Sequence, residues 1–96
     1  MIANGTETTL KQAIDFYGPE MQLNVCIEEL SELIKELCKY KRGQDNELNI
    51  AEEMADVKII LKELEIIFNN RKDVAIWESL KIDRLKKRIE RINKNV

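Results

Sequence analysis

At 96 residues, with 35% charged and 44% hydrophobic residues but one Pro and three Gly, the chain is sized for a single domain, 1–96, and composed for helices rather than sheets. A formal charge of -2, no His and two isolated Cys weigh against a basic nucleic-acid binder and against a zinc site of the usual kind, so no nucleic-acid partner is expected. No apolar run approaches the roughly 20 residues that span a bilayer, and the N-terminus lacks a basic stretch followed by a long apolar one, so a cytoplasmic protein with no membrane partner is expected.

In chain order, Thr6 to about Tyr17 predicts a short first helix with Thr6 or Thr9 as its cap, and Gly18-Pro19 ends it and opens the next. The second helix runs from about Pro19 to Arg42, with Leu23, Ile27, Leu30, Ile34 and Leu37 spaced four and three apart as one apolar stripe. Gly43 stops it, and the polar turn Gln44-Asp45-Asn46 brings the third helix back antiparallel. That helix, about Asn46 to Asn69, carries the stripe Ile50, Met54, Val57, Leu61, Leu64 and Phe68 and a second patch, Ala55, Ile59 and Ile66, about half a turn away at about 100° per residue. A helix apolar on two sides is buried on two sides, which makes the second patch a candidate subunit interface. Asn69-Asn70-Arg71-Lys72 breaks the pattern, and a fourth helix, about Val74 to Asn93, follows with Ile82, Leu85, Ile89, Ile92 and Val96 as its seam. The expected fold is all-α, an antiparallel bundle of about four helices, and a chain this small gains from assembly into a homo-oligomer, dimer or tetramer. Cys26 and Cys38 are expected to be reduced core residues.

Charge is unevenly placed. Residues 28–65 hold eleven acids against six bases, and residues 81–94 hold seven bases against two acids. Two acidic clusters, Glu28-Glu29-Leu30-Ser31-Glu32 and Glu52-Glu53-Met54-Ala55-Asp56, crowd the apolar faces of the second and third helices. Like charges three and four residues apart on a helix repel by roughly 0.2–0.5 kcal/mol per pair. Glu29, Glu53 and Asp56 have no Lys or Arg at those offsets to offset the repulsion, and Glu32 has only Lys35.

An isolated E-x-x-E is ordinary solvated helix surface. These two differ in lying at the apolar edge: Glu53 falls between Ile50, Val57 and Ile60, and Glu29 borders the stripe of its helix. An ionised carboxylate facing a core costs several kcal/mol unless it is paired or metal-bound. The hairpin sets the two clusters opposite one another, an all-oxygen arrangement suited to Mg²⁺ or Mn²⁺.

With these residues on the page, Ile27-Glu28-Glu29-Leu30-Ser31-Glu32-Leu33 followed by Ala51-Glu52-Glu53-Met54-Ala55-Asp56-Val57 resembles the paired E-E-x-x-E and E-x-x-D signature of the MazG-like all-α nucleoside triphosphate pyrophosphohydrolases. Tyr17-Gly18, Gln22, the Lys39-Tyr40-Lys41-Arg42-Gly43 stretch and the basic helix with Lys81, Arg84 and Arg88 extend the likeness over about residues 13–92. The resemblance implies hydrolysis of an NTP or dNTP to the nucleoside monophosphate and pyrophosphate. It assigns Glu29, Glu32, Glu53 and Asp56 as Mg²⁺ ligands, with Glu28 or Glu52 as a candidate base beside them.

Lys81, Arg84, Arg88 and Arg91 form a basic stripe that reads either as a solvated face or, for Lys81 and Arg84, as a contact to triphosphate oxygens. Gln22, two turns before Glu29 on the same side, is a candidate contact to base or phosphate. The competing reading is a noncatalytic helical oligomerisation or interaction module, in which the heptads serve assembly alone and the acids need no metal.

Overall fold

The computed structural model describes residues 2–94, with side chains from Gly5 onward, and Val96, expected at the end of the fourth helical seam, lies outside the described residues. Four helices occupy it: α1 (Ile2–Tyr17), α2 (Pro19–Lys41), α3 (Glu47–Phe68) and α4 (Arg71–Lys94), with no strand among the described residues. None of these helices is long and apolar enough to cross a membrane.

The helix ends follow local chemistry. Gly18 takes φ 88°, a left-handed-side value that a residue with a Cβ adopts only under strain, and Pro19 supplies the fixed φ of the first helical position. Gly43 closes the other end at φ 95°. Two boundaries differ from expectation. α1 begins well before Thr6, so neither Thr6 nor Thr9 caps it; Thr9 instead donates its hydroxyl to the Gly5 carbonyl at 2.8 Å, a bond back along the helix that its interior tolerates. α4 begins at Arg71 rather than near Val74, because Asn69 alone takes the left-handed conformation (φ 50°) and the Asn70 carbonyl already accepts the Val74 amide at 3.0 Å.

α2 and α3 form an antiparallel hairpin, and its seam is polar. From α2 it receives Gln22, Cys26, Glu29, Leu33 and Glu36, and from α3 Glu53, Asp56, Ile60 and Glu63, all buried or half-buried. The apolar stripe expected to face the core, Ile27, Leu30, Ile34 and Leu37, is exposed instead, with Ile27 and Ile34 each 62% accessible. Met54, Leu61 and Phe68 of the α3 stripe are exposed as well, as are Ala55 and Ile59 of its second patch.

At about 100° per residue, each stripe lies about a quarter-turn from the seam in the same rotational sense, which for antiparallel helices leads to the same side of the hairpin. Glu32 and Glu52 turn the opposite way. The hairpin therefore carries its apolar stripes on one face; the opposite face mixes Glu32 and Glu52 with the exposed Ala55 and Ile59, and the seam carboxylates lie between the two.

Among the described residues the apolar core is small: Leu10 and Ile14 of α1, Cys26 of α2 and Ile60 of α3. Cys38, expected inside, is exposed. Every residue of α4 is exposed, and the helix is tied down near its start, where Arg71 reaches Glu7 at 3.4 Å and Glu65 at 3.8 Å. The radius of gyration is 17.2 Å, against about 12.5 Å for a compact domain of this length.

Candidate metal centre

The seam carries three kinds of carboxylate environment, and their differences follow from their neighbours. At the turn end, Glu36 is 6% exposed but fully answered: Lys39 Nζ lies 3.0 Å from one oxygen, and Asn46 Nδ2 donates to the other at 3.1 Å and to the Glu36 carbonyl at 2.9 Å. Those two partners, Lys39 first, hold the Glu36 carboxyl below its ordinary range. Asn46 stands at the N-cap position of α3, yet it makes no capping bond and spends its amide bracing the hairpin turn.

About two to three turns further in, Glu29, Glu53 and Asp56 converge. One carboxylate oxygen from each lies within 4.8 Å of the others, all three residues are half-buried, and no ion pair among the described residues reaches them. The Oε2 atom of Glu53 is buried without a hydrogen-bond partner. Burial raises the Glu29 carboxyl above the ordinary carboxylate value, and the nearby Asp56 charge raises it further. Burial likewise raises Glu53, followed by the charges of Asp56 and Glu32. Both shifts have the sign of uncompensated negative charge.

Glu32 is exposed and falls outside this triad, although its charge is felt by both Glu29 and Glu53. Glu28 and Glu52 are exposed, on the side of the hairpin away from the apolar stripes. Three inward carboxylates with an orphaned buried oxygen suit a hard divalent cation, which takes oxygen ligands and leaves water in its remaining positions. The site fits Mg²⁺ or Mn²⁺ by donor chemistry.

Beyond the triad, Glu63 is 6% exposed, its Oε2 has no partner, and burial raises its carboxyl. Cys26 sits beside it with Sγ 3.9 Å from the Ile60 carbonyl, and burial, with the Glu63 charge second, pushes the thiol up. Gln22 shares this end of the seam, buried rather than open to a cleft. Sequence reasoning missed Glu36, Asn46 and Glu63 as seam residues. A seven-residue step was the available signal: Gln22, Glu29 and Glu36 on α2, and Asp56 and Glu63 on α3, repeat on one helix face.

Lys81, Arg84 and Arg88 line one exposed surface of α4 with Trp77, and the Arg84 guanidinium lies 5.8 Å from the Trp77 ring centroid. α4 adjoins α3 but not α2, so within the chain this basic surface is not joined to Glu29. No protein-family model, curated protein or solved structure matches the chain.

Proposed function

We propose that the chain is a Mg²⁺-dependent nucleoside triphosphate pyrophosphohydrolase of the MazG-like kind, converting an NTP or dNTP to the monophosphate and pyrophosphate as a cytoplasmic homo-oligomer. The observation that carries this reading is the triad of Glu29, Glu53 and Asp56, three half-buried carboxylates within 4.8 Å and without cationic partners. The paired acidic motif supplies the substrate class.

In this reading Glu29, Glu53 and Asp56 hold Mg²⁺ (or Mn²⁺), and Glu32, from the exposed edge, completes the set. The bound ion supplies charge neutralisation of the triphosphate and a water of lowered pKa. Glu28 or Glu52, each exposed and next in sequence to a triad member, would be the carboxylate to take up a proton there. Lys81 and Arg84 serve the triphosphate oxygens from a neighbouring copy, since their own α4 does not adjoin α2. Gln22, buried at the far end of the seam, acts by positioning α2 or reaches substrate only if that end opens.

The test is a panel of NTPs and dNTPs with Mg²⁺, scoring pyrophosphate against orthophosphate. Pyrophosphate as the product supports the reading; orthophosphate, or no turnover of any nucleotide, contradicts it. The noncatalytic interaction module draws on the exposed apolar faces, but it leaves the carboxylate triad without compensation.

A further inference from the structure

We propose that α4 is a docking helix for an acidic amphipathic helix of another protein, which pairs with it along the line of Ile82, Leu85, Ile89 and Ile92. The inference goes beyond the nucleotide reading and needs neither metal nor substrate.

The line has the form that takes a helix. Its four residues step by three, four and three, the spacing at which two helices interlock their side chains. All four are exposed, and the backbone of α4 adjoins only α3. The helix is tied down where Arg71 meets Glu7 and Glu65, and among the described residues nothing covers the line beyond that point. Glu78 falls on the same line and ends it toward the start of the helix. A stripe this narrow and this bounded fits the ridge of one partner helix, whereas insertion into a lipid surface calls for a broad apolar face.

Charge selects the partner. The positions that border such a line are Lys81 and Arg88 on one side and Lys86 and Asn93 on the other. Every charge among them is positive, and no ion pair among the described residues engages Lys81, Lys86 or Arg88. The acids of the same stretch, Asp83 and Glu90, stand about 120–140° from the centre of the line at about 100° per residue, and Asp83 is held by Lys87 at 3.0 Å.

This pattern disfavours a second α4 as the occupant. Parallel pairing sets Lys81 of one copy beside Lys86 of the other, and antiparallel pairing sets basic flank against basic flank. The α2 stripe of a second copy answers the charges no better, since its open edge carries Ser31 and Cys38 rather than acids. A helix with aliphatic residues on one line and Glu or Asp beside it covers the stripe and neutralises the three cations together. Of these cations only Lys81 also has a role toward triphosphate in the reading above, so a docked helix and a nucleotide compete for that side chain.

The test uses the full chain and short labelled helical peptides followed by fluorescence anisotropy. One peptide carries Leu along its line and Glu at the bordering positions; the other has Lys in place of each Glu. The acidic peptide is expected to bind at least about tenfold more tightly than the basic one, and Ile89→Ala to weaken it by about tenfold or more, the worth of one buried aliphatic side chain. The triple variant Lys81→Glu, Lys86→Glu, Arg88→Glu is expected to exchange the preference and take the basic peptide. Because the wild type alone discriminates the two peptides, the first comparison stands even if a variant loses its helix by circular dichroism. Equal binding of the two peptides, or binding of neither because another copy already covers α4, would overturn the proposal. So would an undiminished Ile89→Ala protein, or capture of the chain by phosphatidylserine vesicles that the acidic peptide does not displace. No arm contains a nucleotide, so failure of the pyrophosphate panel leaves these results untouched, and the two proposals fail separately.

Discussion

The α2–α3 hairpin and α4 solve opposite problems. The hairpin buries acids and exposes aliphatics: Glu29, Glu53, Glu36 and Glu63 lie in its seam, while Ile27 and Ile34 face outward at 62% exposure. In α4 nothing is buried, and its local support includes the Asp83–Lys87 pair at 3.0 Å and a sequence rich in Lys, Arg, Leu and Glu with no Gly or Pro. A helix can persist on local terms alone. A seam of carboxylates cannot, because each ionised group taken from water needs a partner. Glu36 has its partners in Lys39 and Asn46; Glu29 and Glu53 have no cationic partner among the described residues, and Glu53 Oε2 is buried without a hydrogen bond.

The sharpest way to break this contrast is Glu53→Gln. It is expected to lower hydrolysis by about 1,000-fold or more, the scale of several kcal/mol of lost charge stabilisation, with helicity by circular dichroism unchanged. Retained activity would remove Glu53 from the reacting centre. Next in size, Asn46→Ala takes both hydrogen bonds from the buried end of Glu36 and should cost about 1–3 kcal/mol in denaturant unfolding. An unaffected midpoint would mean that Lys39 alone answers Glu36.

How much of this was legible beforehand depends on which forces were local. Pro19, Gly43 and Asn69 marked the ends of α2 and α3 because each acts through its own backbone conformation. The start of α1 was missed because Thr9 bonds within the helix rather than at its head, and that of α4 because one left-handed Asn sufficed where four polar residues suggested a longer break. The inward face of α2 was misread for a tertiary reason. Hydrophobic periodicity reports the face that shuns water, and here the covered seam and the apolar stripe are different faces of one helix. The triad was legible because Glu29, Glu53 and Asp56 lack basic neighbours in sequence. Glu63 was not, since an acid between Lys62 and Leu64 looks like any exposed heptad charge.

A smaller effect comes from pH. In metal-free protein Glu29, Glu53 and Glu63 have raised folded-state values, so the unfolded chain gives up those protons first as pH rises from the ordinary 4.5. Stability is therefore expected to fall between 4.5 and the raised values and to level off above them. Glu36, held low, works in the other direction: its contribution is present above 4.5 and is lost as pH falls through its lowered value. Thermal midpoints of the wild type and of Glu29→Gln/Glu53→Gln separate the two, because the double variant should show a weaker fall over the first window. Equal slopes would mean that burial costs those carboxylates little. Smallest of all, Lys81→Ala and Arg84→Ala on exposed α4 should each change stability by no more than about 0.5 kcal/mol, while raising KM if α4 serves a neighbouring copy's substrate. A normal KM in both would leave the basic stripe as solvated surface.

The account turns on a divalent cation compensating the Glu29–Glu53–Asp56 triad, and calorimetric titration of the metal-free protein with Mn²⁺ at neutral pH tests it most directly. Saturable binding is predicted, absent in Glu53→Gln and accompanied by a higher thermal midpoint, about 2.7 kcal/mol of stabilisation at a hundredfold excess over Kd. No binding heat and an unchanged midpoint, or binding that Glu53→Gln leaves intact, would contradict it.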